Sequence, residues 1–276
     1  MTGSVTVADV VGALEARYPP DLASDWDAVG LTVGDPDASV RQVLFAVDPV
    51  MAVVDEALML QADMIVTHHP LFLHGVHSVA AVDHKGRVVQ ALAAHGIALF
   101  SAHTNADHAD PGVSDALAAV LGLAETRPLV PAEGNADVGT GRVGVLPRNV
   151  RLAEFAEQVA AALPKTVHGV RVAGDADRQI RTVAVCGGAG DAFLPEAALL
   201  ADAYVTSDLR HHRAQDHLMD GGCALVDVAH WASEWPWLEV AAAALRADLA
   251  ARGSTVDVHV SSIPTDPWTQ HLGSTR

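Results

Sequence analysis

Two adjacent histidines, His68 and His69, are the residues of this chain whose types and position most clearly indicate chemistry. They follow an apolar run at residues 62–66 and precede Pro70. A short apolar run that ends at a proline is typical of a strand entering a turn, and imidazole is the commonest metal ligand in proteins. Neighbouring side chains on extended backbone point to opposite sides, so the two histidines could serve two different ions. The pair therefore predicts a dinuclear metal centre.

Two later segments have the same organisation, an apolar run followed by a histidine and a carboxylate. One run precedes His103 with Asp107 four residues on, and another precedes His230 with Glu234 four residues on. If a helix begins near His230, a spacing of four places its imidazole and the carboxylate of Glu234 on one face, a single turn apart. Ligand sites of open, mostly parallel α/β sheets form at the carboxyl ends of strands. We therefore expect the three segments to converge.

The candidate ligands combine imidazoles with carboxylates. They are His68, His69, Asp107, His230 and Glu234, with His103 either as an extra ligand or as a group behind the ligands. A mixed set suits Zn, Mn, Fe or Co, whereas an all-oxygen set would suit Mg or Ca. Two divalent cations carry more positive charge than one Asp and one Glu can neutralise. A bridging hydroxide and an anionic substrate would supply the remaining negative charge. Two-metal sites of this kind indicate hydrolysis.

Four motifs, in this order along the chain, resemble a known protein family. They lie at residues 63–70, 101–107, 185–190 and 229–234. Together with the N-terminal motif at residues 26–34, they are similar to the YbgI-like and NIF3-like proteins, which are usually called GTP cyclohydrolase 1 type 2 homologues. The resemblance covers essentially the whole chain.

The resemblance implies a fold and an assembly that spacing alone does not. Its members have two intertwined α/β lobes, with mostly parallel sheets, around a dinuclear metal site. They form homohexameric rings whose sites face an internal cavity, and the motifs carry over to the same five ligands. This chain departs from the pattern at Ala28, where Asn is common, and at Ala229 and Trp231, which flank a ligand. No departure removes a ligand, but Trp231 could change what the pocket accepts.

Composition is typical of a compact α/β protein. The 276 residues are 50% apolar and 18% charged, which is enough for a substantial core. No uninterrupted apolar stretch reaches the roughly 18 residues that span a bilayer, and charged residues interrupt the N-terminal apolar stretch. We therefore expect a cytoplasmic protein with no membrane partner.

The formal net charge of -17 argues against broad nucleic-acid binding. Neutralising many phosphates requires clustered Lys and Arg. Bound divalent ions dominate the field of their own site, however, so an anionic nucleotide or other phosphate-bearing small molecule stays a candidate ligand.

The first half of the chain alternates predicted strands and helices. We predict helices at 7–18, 51–61, 86–95 and 113–121, and strands at 41–47, 64–67 and 97–101. Repeated β-α-β units indicate a parallel sheet.

A segment rich in Pro, Gly, Asn and Asp at 125–141 predicts a domain boundary. The predicted lobes are 1–124 and 125–276, the second returning to the metal site through 223–240. Within the second lobe we predict strands at 141–146 and 181–185, a helix at 152–163, and an irregular tail after residue 260.

A glycine motif, a second histidine pair and two cysteines can each be interpreted in more than one way. Gly187 to Gly190, before Asp191, could cradle a phosphate or form a plain tight turn, since the motif lacks the full dinucleotide fingerprint and the P-loop Lys. His211 and His212 fit a solvated face or a pocket rim at least as well as a ligand role. Cys186 and Cys223 lie in apolar runs and are expected in the core.

Two functions from different classes follow from these residues. The first is a dinuclear-metal hydrolase of a nucleotide or phosphate-bearing small molecule, with a bridging hydroxide as nucleophile and His103 or Asp48 as the proton shuttle. The second is a non-catalytic ring protein that handles metal or regulates a partner.

Overall fold

The computed structural model describes residues 4–273. Contacts between Cα atoms divide the chain into two compact units. The first unit runs to Ala109 and resumes at Leu238–Thr265, and the second unit is Asp110–Trp237 with the residues from Asp266 onward. The predicted lobes differ from these units in two places. Residues 110–124 belong to the second unit, and residues 238–265 belong to the first.

Helices and strands alternate along most of the described chain. The helices are α1 (Val7–Arg17), α2 (Met51–Leu60), α3 (His84–His95), α4 (Thr104–His108), α5 (Val113–Val120), α6 (Leu152–Ala162), α7 (Leu194–Leu200), α8 (His211–Met219) and α9 (His230–Ala251). The strands are β1 (Gly30–Val33), β2 (Gln42–Ala46), β3 (Met64–Thr67), β4 (Ala98–Ser101), β5 (Ala124–Ala132), β6 (Asn135–Arg151), β7 (Val170–Ala173), β8 (Gln179–Ala189), β9 (Ala203–Ser207), β10 (Ala224–Val228) and β11 (Asp257–Val260). Short 3-10 helices lie at Pro20–Leu22 and Asp191–Phe193.

The first unit is built on a five-stranded sheet with the order β1-β4-β3-β2-β11. All its neighbouring strands are parallel except β1, which is antiparallel to β4. The register pairs Thr67 with Ser101, so the carboxyl ends of β3 and β4 lie side by side. Branched and aliphatic side chains such as Leu44, Ile65 and Leu99 pack beneath α2 and α3 in a closed core.

The second unit contains a six-stranded mixed sheet with the order β5-β6-β8-β9-β10-β7. Strands β8, β9 and β10 are parallel, and the three remaining pairings are antiparallel. The predicted α/β class with two sheets is confirmed, with a mostly parallel sheet in the first unit and a mixed sheet in the second.

The segment at 125–141, predicted as a boundary, forms most of the β5–β6 hairpin. Its prolines, Pro128 and Pro131, lie in β5, which is an edge strand of the sheet. Proline is tolerated at a sheet edge, where its missing N–H breaks no ladder. Composition alone therefore suggested a linker where the chain forms a strand.

Most predicted elements of the first unit agree with the structure to within a few residues. Helix α3 begins two residues before the predicted start at residue 86, because the Asp83 side chain accepts a hydrogen bond from the Gly86 N–H at 2.8 Å. Helix α9 begins at His230, the start on which the His230–Glu234 pairing depends. Among residues 4–273, no helix combines the length and apolar character needed to cross a bilayer.

A buried arginine joins the hairpin to α5 in the second unit. Arg142 is 2% exposed, and its Nε and Nη2 donate to the two carboxylate oxygens of Asp115 at 2.7 Å each. Its Nη1 donates to the carbonyl oxygens of Gly139 and Gly141 at 2.8 Å. Asp115 also accepts the Gly112 N–H at the start of α5. The guanidinium is thus paired and hydrogen-bonded, as a buried charge must be.

We expect Arg142→Ala to lower the free energy of unfolding by about 3 to 5 kcal/mol, because it leaves the Asp115 carboxylate without its cation. The matched control is Arg148→Ala, which breaks an ion pair with Glu154 that lies at the surface and should cost about 1 kcal/mol or less. Urea unfolding of both variants measures the difference. Equal losses of unfolding free energy in the two variants would contradict the stabilising role assigned to Arg142.

Candidate metal centre

The ends of β3 and β4 position the first two candidate ligands. His68 is 1% exposed, and its Nδ1 lies 2.9 Å from the carbonyl oxygen of Ala102. The Nδ1 of His69 lies 2.7 Å from the carboxylate of Asp48, which follows β2. Carbonyl and carboxylate oxygens only accept hydrogen bonds, so both Nδ1 atoms carry a proton, and in the neutral form of each ring the lone pair lies on Nε2. Nε2 is the nitrogen through which such a ring can bind a metal.

A third imidazole, that of His103, follows β4 and is held in the same way. Its Nδ1 lies 2.9 Å from Asp27, whose other oxygen accepts the Thr104 N–H at 2.9 Å. Burial lowers the pKa of His103, and the neighbouring His68 lowers it further. Burial alone would raise the pKa of Asp27, but hydrogen bonds from His103 and Thr104 outweigh burial and lower it. The result is a neutral imidazole on an ionised carboxylate.

These three imidazoles form one cluster in the first unit. A ligand atom of each lies within 4.8 Å of the others, and their ring centroids are 5.0 to 5.5 Å apart. Asp107, in α4, places a carboxylate oxygen 3.8 Å from His68 Nε2. The prediction that His68 and His69 point to opposite sides is wrong, because β3 ends at Thr67 and the alternation of a strand ends with it.

The second unit pairs the remaining two candidate ligands. Glu234 is 3% exposed and follows His230 by one turn of α9, with 2.9 Å between His230 Nε2 and Glu234 Oε1. Asp208, directly after β9, lies 2.7 Å from His230 Nδ1. The charge of Glu234 raises the pKa of His230 to about 11 against the opposing effect of burial, and Asp208 adds to the rise. In the metal-free protein His230 is therefore a cation between two carboxylates.

The glycine motif makes room for this pair. Gly188 has φ +68°, and a Cβ there would lie 2.5 Å from Glu234 Oε1 and 3.1 Å from His230 Nε2. Its N–H donates to Ser233 Oγ at 2.8 Å, and Ser233 Oγ donates to the carbonyl oxygen of His230 at 2.7 Å. The motif also belongs largely to β8 rather than to a loop that opens a helix. Its clearest role is thus to pack against the first turn of α9.

The sequence prediction did not include two carboxylates that orient histidines of the site, Asp27 at His103 and Asp208 at His230. Both had a sequence signal, since Asp27 lies in the motif at 26–34 and Asp208 directly follows an apolar strand-like run. Asp208 also has φ +57°, a left-handed conformation that Asp tolerates better than most residues. Asp48, predicted as a proton shuttle, holds His69 and accepts a hydrogen bond from Thr265.

The remaining candidates lie apart from these contacts. His211 and His212 are exposed at the start of α8, with ring centroids 5.0 Å apart. Cys186 and Cys223 are buried, as predicted. Burial raises the pKa of the Cys223 thiol to about 11, which keeps it protonated and unreactive.

Comparison with known proteins identifies the family. The family model described as Duf34/NIF3 (NGG1p interacting factor 3) matches residues 5–267. The chain belongs to the DUF34/NIF3 family. The resemblance inferred from the motifs is thereby confirmed.

Individual members of the DUF34/NIF3 family match over nearly their whole length. The chain is 50% identical over 271 residues to a Streptomyces coelicolor protein named GTP cyclohydrolase 1 type 2 homolog, covering 97% of this chain and 95% of the relative. A Mycobacterium tuberculosis protein of the same name is 37% identical, with 96% and 97% covered. The crystal structure of a Bacillus cereus protein related to NIF3 superposes with a TM-score of 0.91 at 26% identity, covering 97% of this chain and 100% of that one.

Gly188→Ala tests whether the glycine motif makes room for the ligand pair. The control is Gly169→Ala, because Gly169 has almost the same φ, +66°, but a Cβ added there would have no atom within 4 Å. We expect the control to lose about 1 to 2 kcal/mol of stability from backbone strain and Gly188→Ala to lose about 1 to 3 kcal/mol more from overpacking. Urea unfolding measures both, and equal losses would argue against the role.

Glu234→Gln tests the charge state of the second cluster. In protein stripped of metal, the pKa of His230 should fall from about 11 toward about 6.5, but stay above it because Asp208 remains. The raised pKa stabilises the fold fully below about pH 6.5, and this contribution disappears as pH rises through about 11.

NMR titration of the imidazole resonances measures this shift. The control is Glu239→Gln, which changes an exposed carboxylate of the same helix and should leave the His230 pKa unchanged. An unchanged pKa in Glu234→Gln would contradict the ion pair.

Proposed function

We propose that this DUF34/NIF3 protein is a metal-dependent hydrolase of a nucleotide or another phosphate-bearing small molecule. Two divalent ions, of Zn, Mn, Fe or Co, would be held by His68, His69, Asp107, His230 and Glu234. The observation that carries the proposal is the repeated orientation of imidazoles through Nδ1 by an oxygen acceptor.

The donor set fits transition-metal ions. Histidine ligands in metalloproteins commonly donate the second ring N–H to a carboxylate or carbonyl, which fixes the ring and raises its basicity. Asp48 does this for His69 and Asp208 does it for His230. A backbone carbonyl does the same for His68, which lies in the core where an ordinary polar side chain is costly.

The ligand number and charge of each cluster bear on this proposal. His230 and Glu234 supply two ligands, whereas Zn and similar ions take at least three protein ligands. The first cluster has three imidazoles and one carboxylate, Asp107, so it supplies less negative charge than two dications carry.

Divalent ions in such a site would lower the pKa of a bound water and so supply the nucleophile for hydrolysis. The protein's own residues then have defined tasks. His103 is neutral because burial lowers its pKa, so its Nε2 can accept a proton. Asp27 would stabilise the resulting imidazolium through Nδ1. Of the two predicted proton shuttles, His103 is therefore the better supported, and Asp48 acts by positioning His69.

An exposed tryptophan beside the histidine cluster supports a substrate with a planar group. Trp26 is 58% exposed, and its ring meets that of His103 edge to face with centroids 5.8 Å apart. Its neighbour Asp27 is fixed by the hydrogen bonds to His103 and Thr104. An indole held in place in this way offers a face on which a base can stack.

Three further parts of the proposal have their own support. We also propose a homohexamer, which the family resemblance supports, and a cytoplasmic location, which the sequence supports. The absence of broad nucleic-acid binding follows from the net charge of -17.

The deciding experiment combines metal analysis of the purified protein with hydrolysis assays on GTP, other nucleotides and simple phosphoesters in added Mn, Zn, Fe or Co. We expect about two ions per chain and metal-dependent turnover. His68→Ala or Glu234→Ala should each remove at least one metal equivalent and the activity. The control, His95→Ala, changes an exposed histidine of α3 and should keep both.

The outcomes separate the two predicted functions. Unchanged metal content in both ligand variants would overturn the site. Full metal loading without turnover on any substrate would overturn the hydrolase and favour the metal-handling alternative.

Trp26→Ala should raise the KM for a nucleotide about tenfold or more, because one stacked base is worth about 1 to 3 kcal/mol. The KM for a phosphoester without an aromatic ring should stay unchanged, and Trp26→Phe should retain most of the nucleotide affinity. Steady-state kinetics on both substrate types provides the measurement. Equal effects on both would remove Trp26 from substrate recognition.

A further inference from the structure

An apolar groove in the second unit lies between α8 and the edge of the mixed sheet. Strand β7 pairs with β10 at this edge, where Ala173 lies opposite Leu225. Helix α8 leaves a cavity of about 450 Å³ above these strands. Its walls are mainly apolar, with Ala214 and Leu218 from the helix and Val172 from the edge strand. We call this cavity the α8 groove.

One end of the α8 groove is polar and contains a network of ion pairs and hydrogen bonds centred on Asp227. Asp227 is 5% exposed and accepts hydrogen bonds from Arg171 Nε at 2.7 Å, His168 Nε2 at 3.2 Å and the Leu209 N–H at 3.2 Å. The Arg171 side chain is 60% exposed, so its guanidinium reaches the mouth of the groove. His211 lines the groove as well. The Asp227 carboxylate therefore contacts one guanidinium and one imidazole, and a second imidazole, that of His211, is part of the lining.

We propose that the α8 groove binds a small amphiphilic carboxylate, with its apolar chain along Ala214, Leu218 and Leu225 and its carboxylate on Arg171. The volume falls in the range of small-molecule sites, about 300 to 1,000 Å³. The ion pair with Asp227 uses Nε and Nη2, and the Nη1 hydrogens of Arg171 lie outside that pair. A planar guanidinium recognises a carboxylate by its paired N–H groups.

The groove is joined to a candidate metal ligand through two consecutive residues. Leu209 lines the groove and donates its N–H to Asp227, and the preceding residue, Asp208, holds His230 Nδ1 at 2.7 Å. A ligand that shifts Leu209 therefore also shifts the carboxylate that orients His230. The groove is thus an effector site for the metal centre, a role that rests on the proposed function, whereas carboxylate binding does not.

The test uses octanoate as the probe and calorimetric titration of the whole protein without added metal. We expect a Kd at or below about 1 mM, and binding of uncharged octanol weaker by about tenfold or more because it lacks the charged hydrogen bonds. Ala214→Trp fills the groove and should abolish binding. Val172→Glu, which places a negative charge at an exposed position of the mouth, should do the same.

The matched control is Arg213→Gln, which removes a cation from the same helix at a position that does not line the groove, and should bind octanoate like the wild type. If the wild-type protein does not bind octanoate, the proposed carboxylate site is wrong, even where the cause is a second copy of the chain that covers the groove. Undiminished binding to Ala214→Trp and Val172→Glu also overturns it.

A second titration, of Zn²⁺ with and without saturating octanoate, tests the effector role. We expect the metal affinity to change about fivefold or more in the wild type and in Arg213→Gln, but not in Ala214→Trp. Octanoate binding with an unchanged metal affinity overturns the effector role alone. A protein that binds octanoate but no metal overturns the proposed function and leaves the groove as a carboxylate site.

Discussion

The hydrogen bond on Nδ1 is the interaction on which the rest of this molecule depends. A histidine binds a metal through one nitrogen only if the other nitrogen holds the proton, and a free imidazole exchanges between the two tautomers. Here a carboxylate after β2 and a carbonyl after β4 place the proton on Nδ1 of His69 and His68, and a carboxylate after β9 accepts a hydrogen bond from Nδ1 of His230. The strand ends of the two sheets thus position hydrogen-bond acceptors next to the Nδ1 atoms of these histidines.

Strand ends are the natural place for such an arrangement. In the first unit, parallel β2, β3 and β4 end at one edge, so residues far apart in sequence become neighbours without any long loop. In the second unit, β8 brings Gly188 against the start of α9, where a side chain would collide with Glu234. The position next to a buried carboxylate therefore requires a residue without a Cβ, and its φ of +68° favours glycine for a second reason.

The sequence predicted the ligand residues better than their surroundings. His68, His103 and His230 stood out because each follows an apolar run at the point where a buried strand would end, and Asp107 and Glu234 because each lies four residues after one of these histidines. The predicted strands and helices of the first unit follow from the same apolar periodicity. Asp27 and Asp208 did not stand out, because a carboxylate that orients an imidazole through one hydrogen bond leaves no spacing rule. The hairpin at 125–141 was missed because proline at a sheet edge looks like a linker. The unit boundary near Leu238 was missed because it falls inside the uninterrupted helix α9.

That boundary has a consequence for how the protein is made. The first unit is discontinuous, and its edge strand β11 comes from residues synthesised after the whole of Asp110–Trp237. On a ribosome, the β2 edge of the first sheet must stay open while Asp110–Trp237, the larger part of the second unit, emerges. Closure of β11 on β2 therefore has to wait until Asp110–Trp237 has been synthesised, so the first unit cannot be completed before most of the second unit exists.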